Sequence, residues 1–369
     1  MDVGAVKRSF KYRFRPTSEQ AEQLNRTFGC VRLVYNKALE ERARVHATEA
    51  RSMTYVQSSA ALTKWKKTDD LAFLNEVSSV PLQQSLRHLQ TAYTAFFAKR
   101  SRYPSFKSKR RTRASAEYTR SGFSYHDGRL TLAKQAESLD IVWSRPLPQG
   151  AEPSTVTVSR DKADRWHVSI LVTTSTRLLP PVDRAVGVDA GITALATLST
   201  GEKIDNPRHE RTVRGRLVKA QRALSRTAKG SRNRDKARLR LARVHARTAD
   251  RRRDHLHKLS TRLVRENQTV VIEDLSVRTM LKTHSLARAI SDAAWSEFRS
   301  MLEYKAAWYG RTVVVVDRWL PSTKLCADCG NRVESLPLHV REWECRCGAV
   351  HDRDVNAARN ILAAGLAER

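Results

Sequence analysis

Five carboxylates stand where carboxylates are costly. Asp189 lies inside the apolar run VGVDAGI, Glu273 and Asp274 end the run VVIED, and Asp352 and Asp354 precede the last helical stretch. Acids gathered at strand ends repel one another unless cations neutralise them. Hard oxygen donors of this kind favour Mg2+ or Mn2+. Two such ions, about 3.5–4 Å apart, activate a water and stabilise the leaving oxygen in phosphodiester hydrolysis. Each acid alone has a plainer explanation. Asp354 can cap the last helix, and Glu273 or Asp274 can be the polar end of a strand. Asp189 resists that reading, because its neighbours are apolar and Gly191 supplies a turn. Together, in a chain this basic, they point to a metal-dependent nuclease.

The cysteines carry a second chemistry. Four of the five fall within 22 residues, as Cys326-x-x-Cys329-Gly and Cys345-x-Cys347-Gly. The first is a zinc-knuckle turn, and the second is one residue shorter than usual, with a tighter bite. Four thiolates close a tetrahedral structural Zn2+ site. His339 and His351 are alternative ligands if the tight pair cannot supply both sulfurs, and a redox dithiol is the minor alternative. A zinc ribbon here would pin the segment that carries Asp354. Cys30, alone in FGCVRLVYN, reads as a buried small residue.

Composition says what these sites act on. The formal net charge is +30 over 369 residues, with Lys+Arg 68 against Asp+Glu 38. A folded chain bears that self-repulsion most naturally against a polyanion, so nucleic acid is the expected partner. No apolar run is long enough to span a bilayer and no signal-peptide core follows Met1. No membrane partner is therefore expected, and the expected location is the cytoplasm.

The elements that must position these residues follow from periodicity. KRSFKYRFR alternates around Phe10, Tyr12 and Phe14 as a strand does, Pro16 ends it, and Thr17 or Ser18 can cap a helix. Residues 18–100 carry helical spacing, with Leu24, Phe28, Val31 and Tyr35, then Leu82, Leu86, Leu89, Tyr93 and Phe96. The run KRSRYPSFKSKRRTRAS (99–115) interleaves Tyr103 and Phe106 with Lys107, Lys109 and Arg110, a pattern for neutralising phosphates and stacking on bases. A solvated linker is the other reading. Residues 116–178 read as strands. From 183 the chain reads strand, turn, strand, and residues 208–265 hold 21 Lys/Arg against four Asp/Glu. Those form a basic helical hairpin turning near GSRNRD. Strand TVVIEDL, a helix near 296–310, strand RTVVVVD, the cysteines and a final helix complete the chain.

This order resembles the RuvC-like, RNase H-type nuclease fold. Nearly end to end, through YRFRPTSEQ, RYPSFKSK, GVDAGI, VVIEDL, WLPSTKLCADCG and HDRDVNAARNIL, the sequence is similar to the TnpB family of transposon-encoded, RNA-guided DNA nucleases related to type V CRISPR effectors. The resemblance implies an α+β multidomain fold. A wedge-like β-barrel (1–17 and 101–180) is interrupted by a helical recognition lobe (18–100). A RuvC-like domain (181–320 and 351–369, with the hairpin 208–265) carries an inserted zinc ribbon (321–350). It implies Asp189, Glu273 and Asp354 as the catalytic, Mg2+-binding triad, with Asp274 and Asp352 as neighbours, and Zn2+ on Cys326, Cys329, Cys345 and Cys347. It also implies a guide RNA made from the transposon end, a double-stranded DNA target read through base pairing beside a short motif, and a monomer within the prokaryotic ribonucleoprotein. Tyr55, Gln83 and Gln84 are candidate readers of that motif. Two departures are Ala190, where the family more often has a larger apolar residue or proline, and the shortened Cys345–Cys347 pair. The chain also ends 15 residues past Asp354, without the charged tail of some relatives. Rival readings are a transposase or recombinase, a nuclease-inactive RNA-guided repressor, and a zinc-ribbon RNA-binding protein.

Overall fold

The structure, a computed structural model, describes residues 2–337 and 339–367. It divides into two compact units, 5–175 and 176–369 with 1–4.

The first unit opens with β1 (Asp2–Arg15), which buries Tyr12 and Phe14 on one face. Pro16 stops it, since proline brings no N–H to a ladder. Thr17 then starts α1 (Ser18–Glu49) with a capping box: Gln20 N–H donates to Thr17 Oγ1 at 3.2 Å and Thr17 N–H to Gln20 Oε1 at 3.1 Å. The helical span divides into three helices rather than one run. Thr54 and Ser78 are fresh N-caps for α2 (Tyr55–Trp65) and α3 (Ser79–Phe97), with a 3-10 turn at Asp69–Asn75 between them. Leu24, Phe28, Val31 and Tyr35 of α1 and Leu82, Leu86 and Leu89 of α3 all face the core, as their spacing requires. After a loop come β2 (Ala114–Thr119), β3 (Phe123–His126), β4 (Arg129–Leu132), β5 (Asp140–Val142), β6 (Glu152–Arg160) and β7 (Trp166–Arg177). Five strands pair in the order β2-β6-β7-β1-β5, and β3 pairs with β4 alone. Among the described residues the ladder is open, with β2 and β5 as its edges, and the β3–β4 hairpin adds Leu130 and Leu132 to the same core.

The second unit is built on β8 (Ala185–Asp189), β9 (Ala194–Leu198) and β10 (Lys203–Asp205), an antiparallel meander. The chain leaves through two long helices, α4 (His209–Ser225) and α5 (Arg232–Glu266), and returns as β11 (Thr269–Glu273) on the other side of β8. Short α6 (Val277–Met280) and α7 (Ala287–Ala293) and then α8 (Trp295–Tyr309) lead to β12 (Thr312–Val316). Strands β11 and β12 run parallel to β8, giving the order β10-β9-β8-β11-β12. The small strands β13 (Glu342–Glu344) and β14 (Val350–Asp352) precede α9 (Arg353–Ala367).

Alternation along β11 sends Val270 and Ile272 to one face, with Leu256, Leu259 and Leu263 of α5 and Phe298, Met301 and Leu302 of α8. Val271 goes to the other face, with Ile361 of α9. The sheet therefore lies between two helical layers. At the outer end of the α4–α5 hairpin Leu217, Leu224, Leu239 and Leu241 are only half-buried. There the turn is held instead by Arg234, whose guanidinium donates to the carbonyls of Leu224 (3.1 Å) and Thr227 (2.8 Å). Among the described residues no helix is long and apolar enough to cross a membrane.

Helix α9 crosses the sheet so closely that two glycines are required. A Cβ on Gly187 of β8 would lie 2.1 Å from the Ala358 carbonyl oxygen and 2.8 Å from Leu362. One on Gly365 of α9 would lie 2.3 Å from the Val271 side chain. Relief of the first clash needs movement of helix backbone, so Gly187→Ala is expected to destabilise the unit by about 3 kcal/mol. Thermal or urea unfolding checks this, and an unchanged midpoint would refute it.

Candidate metal centres

The carboxylates meet where the strand order reverses. The register pairs Val188 with Ile272, so Asp189 and Glu273 are the next residues on adjacent parallel strands, at their C-terminal ends. Crevices at such ends, beside a change of strand order, are where open α/β sheets bind ligands. Asp354 comes to the same place on the first turn of α9, the helix packed on Gly187. Burial, then the charges of Glu273 and Asp354, push the Asp189 carboxyl up to about 7, against a smaller opposing effect of Arg353. Burial also raises Glu273, although the Ser322 hydroxyl, donating to Oε1 at 2.9 Å, favours its ionised form. The oxygens of the three acids do not all lie within 4.8 Å of one another; among the described residues only the cysteines do so. Three carboxylates nevertheless make a donor set of the kind a hard divalent cation takes, and burial, more than their mutual repulsion, holds a proton on Asp189 near neutrality.

A cation bound here must displace the proton on Asp189. Mn2+ affinity is therefore expected to fall by up to about tenfold per pH unit below 7 and to level off above it. Calorimetric titrations at pH 6 and 8 check this, and equal affinities would contradict it.

The neighbouring acids are engaged elsewhere. Asp274 accepts from Arg299 Nη1 at 2.8 Å and from Arg318, and these two hold it below the usual carboxylate range. Asp352, not Asp354, caps the last helix: its Oδ1 accepts from the backbone N–H of Asp354 (3.1 Å) and Val355 (3.0 Å). Its Oδ2 lies 2.6 Å from Lys203 Nζ. The capping explanation of Asp354 is thereby removed, and its side chain is approached loosely by Arg341, at 3.6 Å.

The four cysteine sulfurs converge. Cys326 and Cys347 are 3.8 Å apart, Cys329 and Cys345 3.6 Å, and all four lie within 4.8 Å of one another. A tetrahedron with Zn–S arms of about 2.3 Å has edges of about 3.8 Å, so the set fits a structural zinc despite the short Cys345–Cys347 spacing. Neither histidine belongs to the set. His339 is exposed, while buried His351 places Nε2 3.0 Å from Cys326 Sγ, within hydrogen-bond reach of that sulfur.

The residues expected at nucleic acid all lie in the first unit. Phe106 is 62% exposed and Lys109 and Arg110 are exposed. Tyr103 is half-exposed, its hydroxyl 3.0 Å from that of Tyr93. Lys107 differs: its ammonium lies 3.7 Å from the centre of the Tyr35 ring, and Asn36 braces its backbone through two hydrogen bonds. Tyr55 is half-buried beneath the Arg87 guanidinium; Gln84 is half-buried and Gln83 exposed, both on α3. Periodicity does not single out Ser322, Arg299 or Arg318, whose partners Glu273 and Asp274 lie 25 to 49 residues away in sequence.

Three family models match the chain: "Probable transposase" over 167–284, "Cas12f1-like, TNB domain" over 295–361, and "Helix-turn-helix domain" over 1–51. The last segment is here one strand followed by one unbroken helix. A Streptomyces pristinaespiralis protein described as "Putative RNA-guided DNA endonuclease" is 72% identical over 362 residues, 98% of this chain and 90% of its own length. The Escherichia coli K12 protein described as "Putative RNA-guided DNA endonuclease InsQ" is 33% identical over 97% of this chain and 92% of its own. The fold resembles the protein in a structure titled "Cryo-EM structure of the Cas12f1-sgRNA-target DNA complex", with a TM-score of 0.61 at 12% identity, covering 97% of this chain and 98% of that one. With likeness of this extent running the length of the sequence, the chain belongs to the TnpB (OrfB, IS605) family.

Proposed function

We propose that the protein is an RNA-guided, Mg2+-dependent DNA endonuclease that cuts both strands of its target, one after the other, at the carboxylate site of the second unit. The observation that carries this reading is the crowding of Asp189, Glu273 and Asp354 at one sheet end, with Asp189 pushed up to about 7, in a chain of net charge +30. The strand order β10-β9-β8-β11-β12 supports reading the second unit as an RNase H-type, RuvC-like domain (181–320 and 351–369) with the ribbon 321–350 inserted. In the same reading a wedge-like β-domain (1–17 and 101–180) carries an inserted helical lobe (18–100), and most of both falls in the first unit.

Asp189, Glu273 and Asp354 would hold the cation, which when bound would activate the attacking water and stabilise the charge on the leaving oxygen. Asp189 and Glu273 are each half-buried at that end of the sheet, which limits the positions their side chains can take. The arginine pair on Asp274 keeps that acid from competing for the ion. The α4–α5 hairpin, with its excess of arginine, neutralises the phosphates of the guide RNA or the heteroduplex. A guide made from the transposon end would read the target by pairing, and the protein would read only a short adjoining motif. The descriptions of the two relatives as RNA-guided DNA endonucleases support this reading.

The test is co-expression with the flanking DNA of its own locus and sequencing of the RNA that co-purifies. That complex is then presented with a randomised-flank plasmid library, with and without Mg2+. Mg2+-dependent cuts at guided positions beside one motif are expected. A discrete bound RNA without cleavage would favour a repressor, and no specific RNA would reopen the transposase reading.

A further inference from the structure

Two buried asparagines of α9, Asn356 and Asn360, are one turn apart and share a face. Both donate their Nδ2 groups to the carbonyl of Leu325, at 2.7 and 2.6 Å, and to that of Ser322, at 3.5 and 2.8 Å. Asn356 Oδ1 also accepts the backbone N–H of Ala327 at 2.9 Å, inside the Cys326–Cys329 turn. The hydroxyl of buried Ser322 points the other way, to Glu273 Oε1 at 2.9 Å. One hub of hydrogen bonds thus joins the cysteine turn, the helix that carries Asp354 and the side chain of Glu273.

We propose that Ser322, Asn356 and Asn360 are positioning residues that couple the four-cysteine site to the carboxylate site. The inference rests on the proposed cation role of the carboxylates. Ser322 occupies one lone-pair direction of Glu273 and so fixes the rotamer that presents the other oxygen. The asparagines fix Ser322, and they can do so only while the Leu325–Ala327 backbone keeps the path that the closed cysteine turn gives it. Buried amides with several partners are stiff supports, because each lost bond would strand a polar group. The ribbon would then govern cation affinity without offering a ligand.

The test uses the full chain with its co-purified RNA. Ser322→Ala, Ser322→Thr and Asn360→Ala are compared for zinc content, for Mn2+ affinity by electron paramagnetic resonance, and for cleavage across Mg2+ concentrations. Ser322→Ala is expected to keep its zinc and to weaken Mn2+ binding by about tenfold, the usual scale for outer-shell partners of metal ligands. The Mg2+ concentration for half-maximal cleavage rises in step, and excess Mg2+ restores most of the rate. Ser322→Thr, which keeps the hydroxyl, restores affinity. Asn360→Ala keeps the hydroxyl but loosens its support, and gives the same direction of change. Wild-type Mn2+ affinity in Ser322→Ala would overturn the proposal. Asp189→Asn is carried alongside: if it too binds Mn2+ normally, the carboxylate reading has failed rather than the coupling.

Discussion

Asp189→Asn is expected to lower guided cleavage by at least about 10^3-fold while making the cation-free protein harder to unfold. The first effect follows from removing a charged ligand whose share of transition-state stabilisation is about 4 kcal/mol. The second follows from the cost of keeping a carboxylate at that position. Its ordinary value of 3.8 is raised to about 7 in the fold, first by burial and then by Glu273 and Asp354. A raised acid binds its proton more tightly folded than unfolded, so its charge costs nothing below about pH 4. The cost grows between pH 4 and 7 and is complete above 7. The neutral amide escapes it, and the gain is on the order of 3 kcal/mol at pH 8, shrinking towards zero as the pH falls to 4. Melting curves of both proteins in chelator at pH 5 and 8 read this directly. A variant that loses activity and also melts lower at pH 8 would mean that Asp189 serves the fold rather than the site.

Stripping zinc is expected to unfold the segment 322–352 while the sheet β10-β9-β8-β11-β12 keeps its protection against hydrogen exchange. The reason is how little else holds that segment. Among the described residues its buried apolar cluster consists of Cys326, Trp343 and Cys345, with Val333, Leu336, Val340 and Ala349 only partly covered. Its two strands are three residues each. So small a core cannot offset the entropy of ordering the chain, and two of its three buried members are themselves zinc ligands. A closed four-thiolate site contributes on the order of 10 kcal/mol, enough to reverse the balance. Cys345→Ser and chelation should give the same pattern, with cleavage falling as the hub at Ser322 loses its support. Protection of 322–352 that survives complete loss of zinc would contradict the argument.

Much of this was legible before any coordinates. Apolar runs ending in Asp or Glu announced buried strands with a reason to end in acid, and Thr17 with Gln20 announced where a strand hands over to a helix. The cysteine spacing announced its own geometry. What could not be read were choices made across the fold. Glu273 and Asp274 are adjacent in sequence, and the difference between them depends on Arg299 and Arg318, which lie 25 and 44 residues away. Capping by Asp352 rather than Asp354 turns on a shift of two residues at a helix start. Lys107 reads as a phosphate contact because its neighbours are basic, and no local pattern shows that its ammonium also lies over the Tyr35 ring, 72 positions upstream. The asparagine hub spans 29 to 38 residues, beyond any local pattern.

The close seating of α9 has a mechanical consequence. A rigid rod held at two points can still turn about the line through them. Gly187 beneath Ala358 and Leu362 is one such point, and Gly365 against Val271 is the second. Asn356 and Asn360 add a third hold, off that line and made of hydrogen bonds rather than packed volume. Three supports remove the last rotation, much as three feet keep a stool from rocking. The lever arm that would swing if the third foot were lifted is the first turn of the helix, where Asp354 sits.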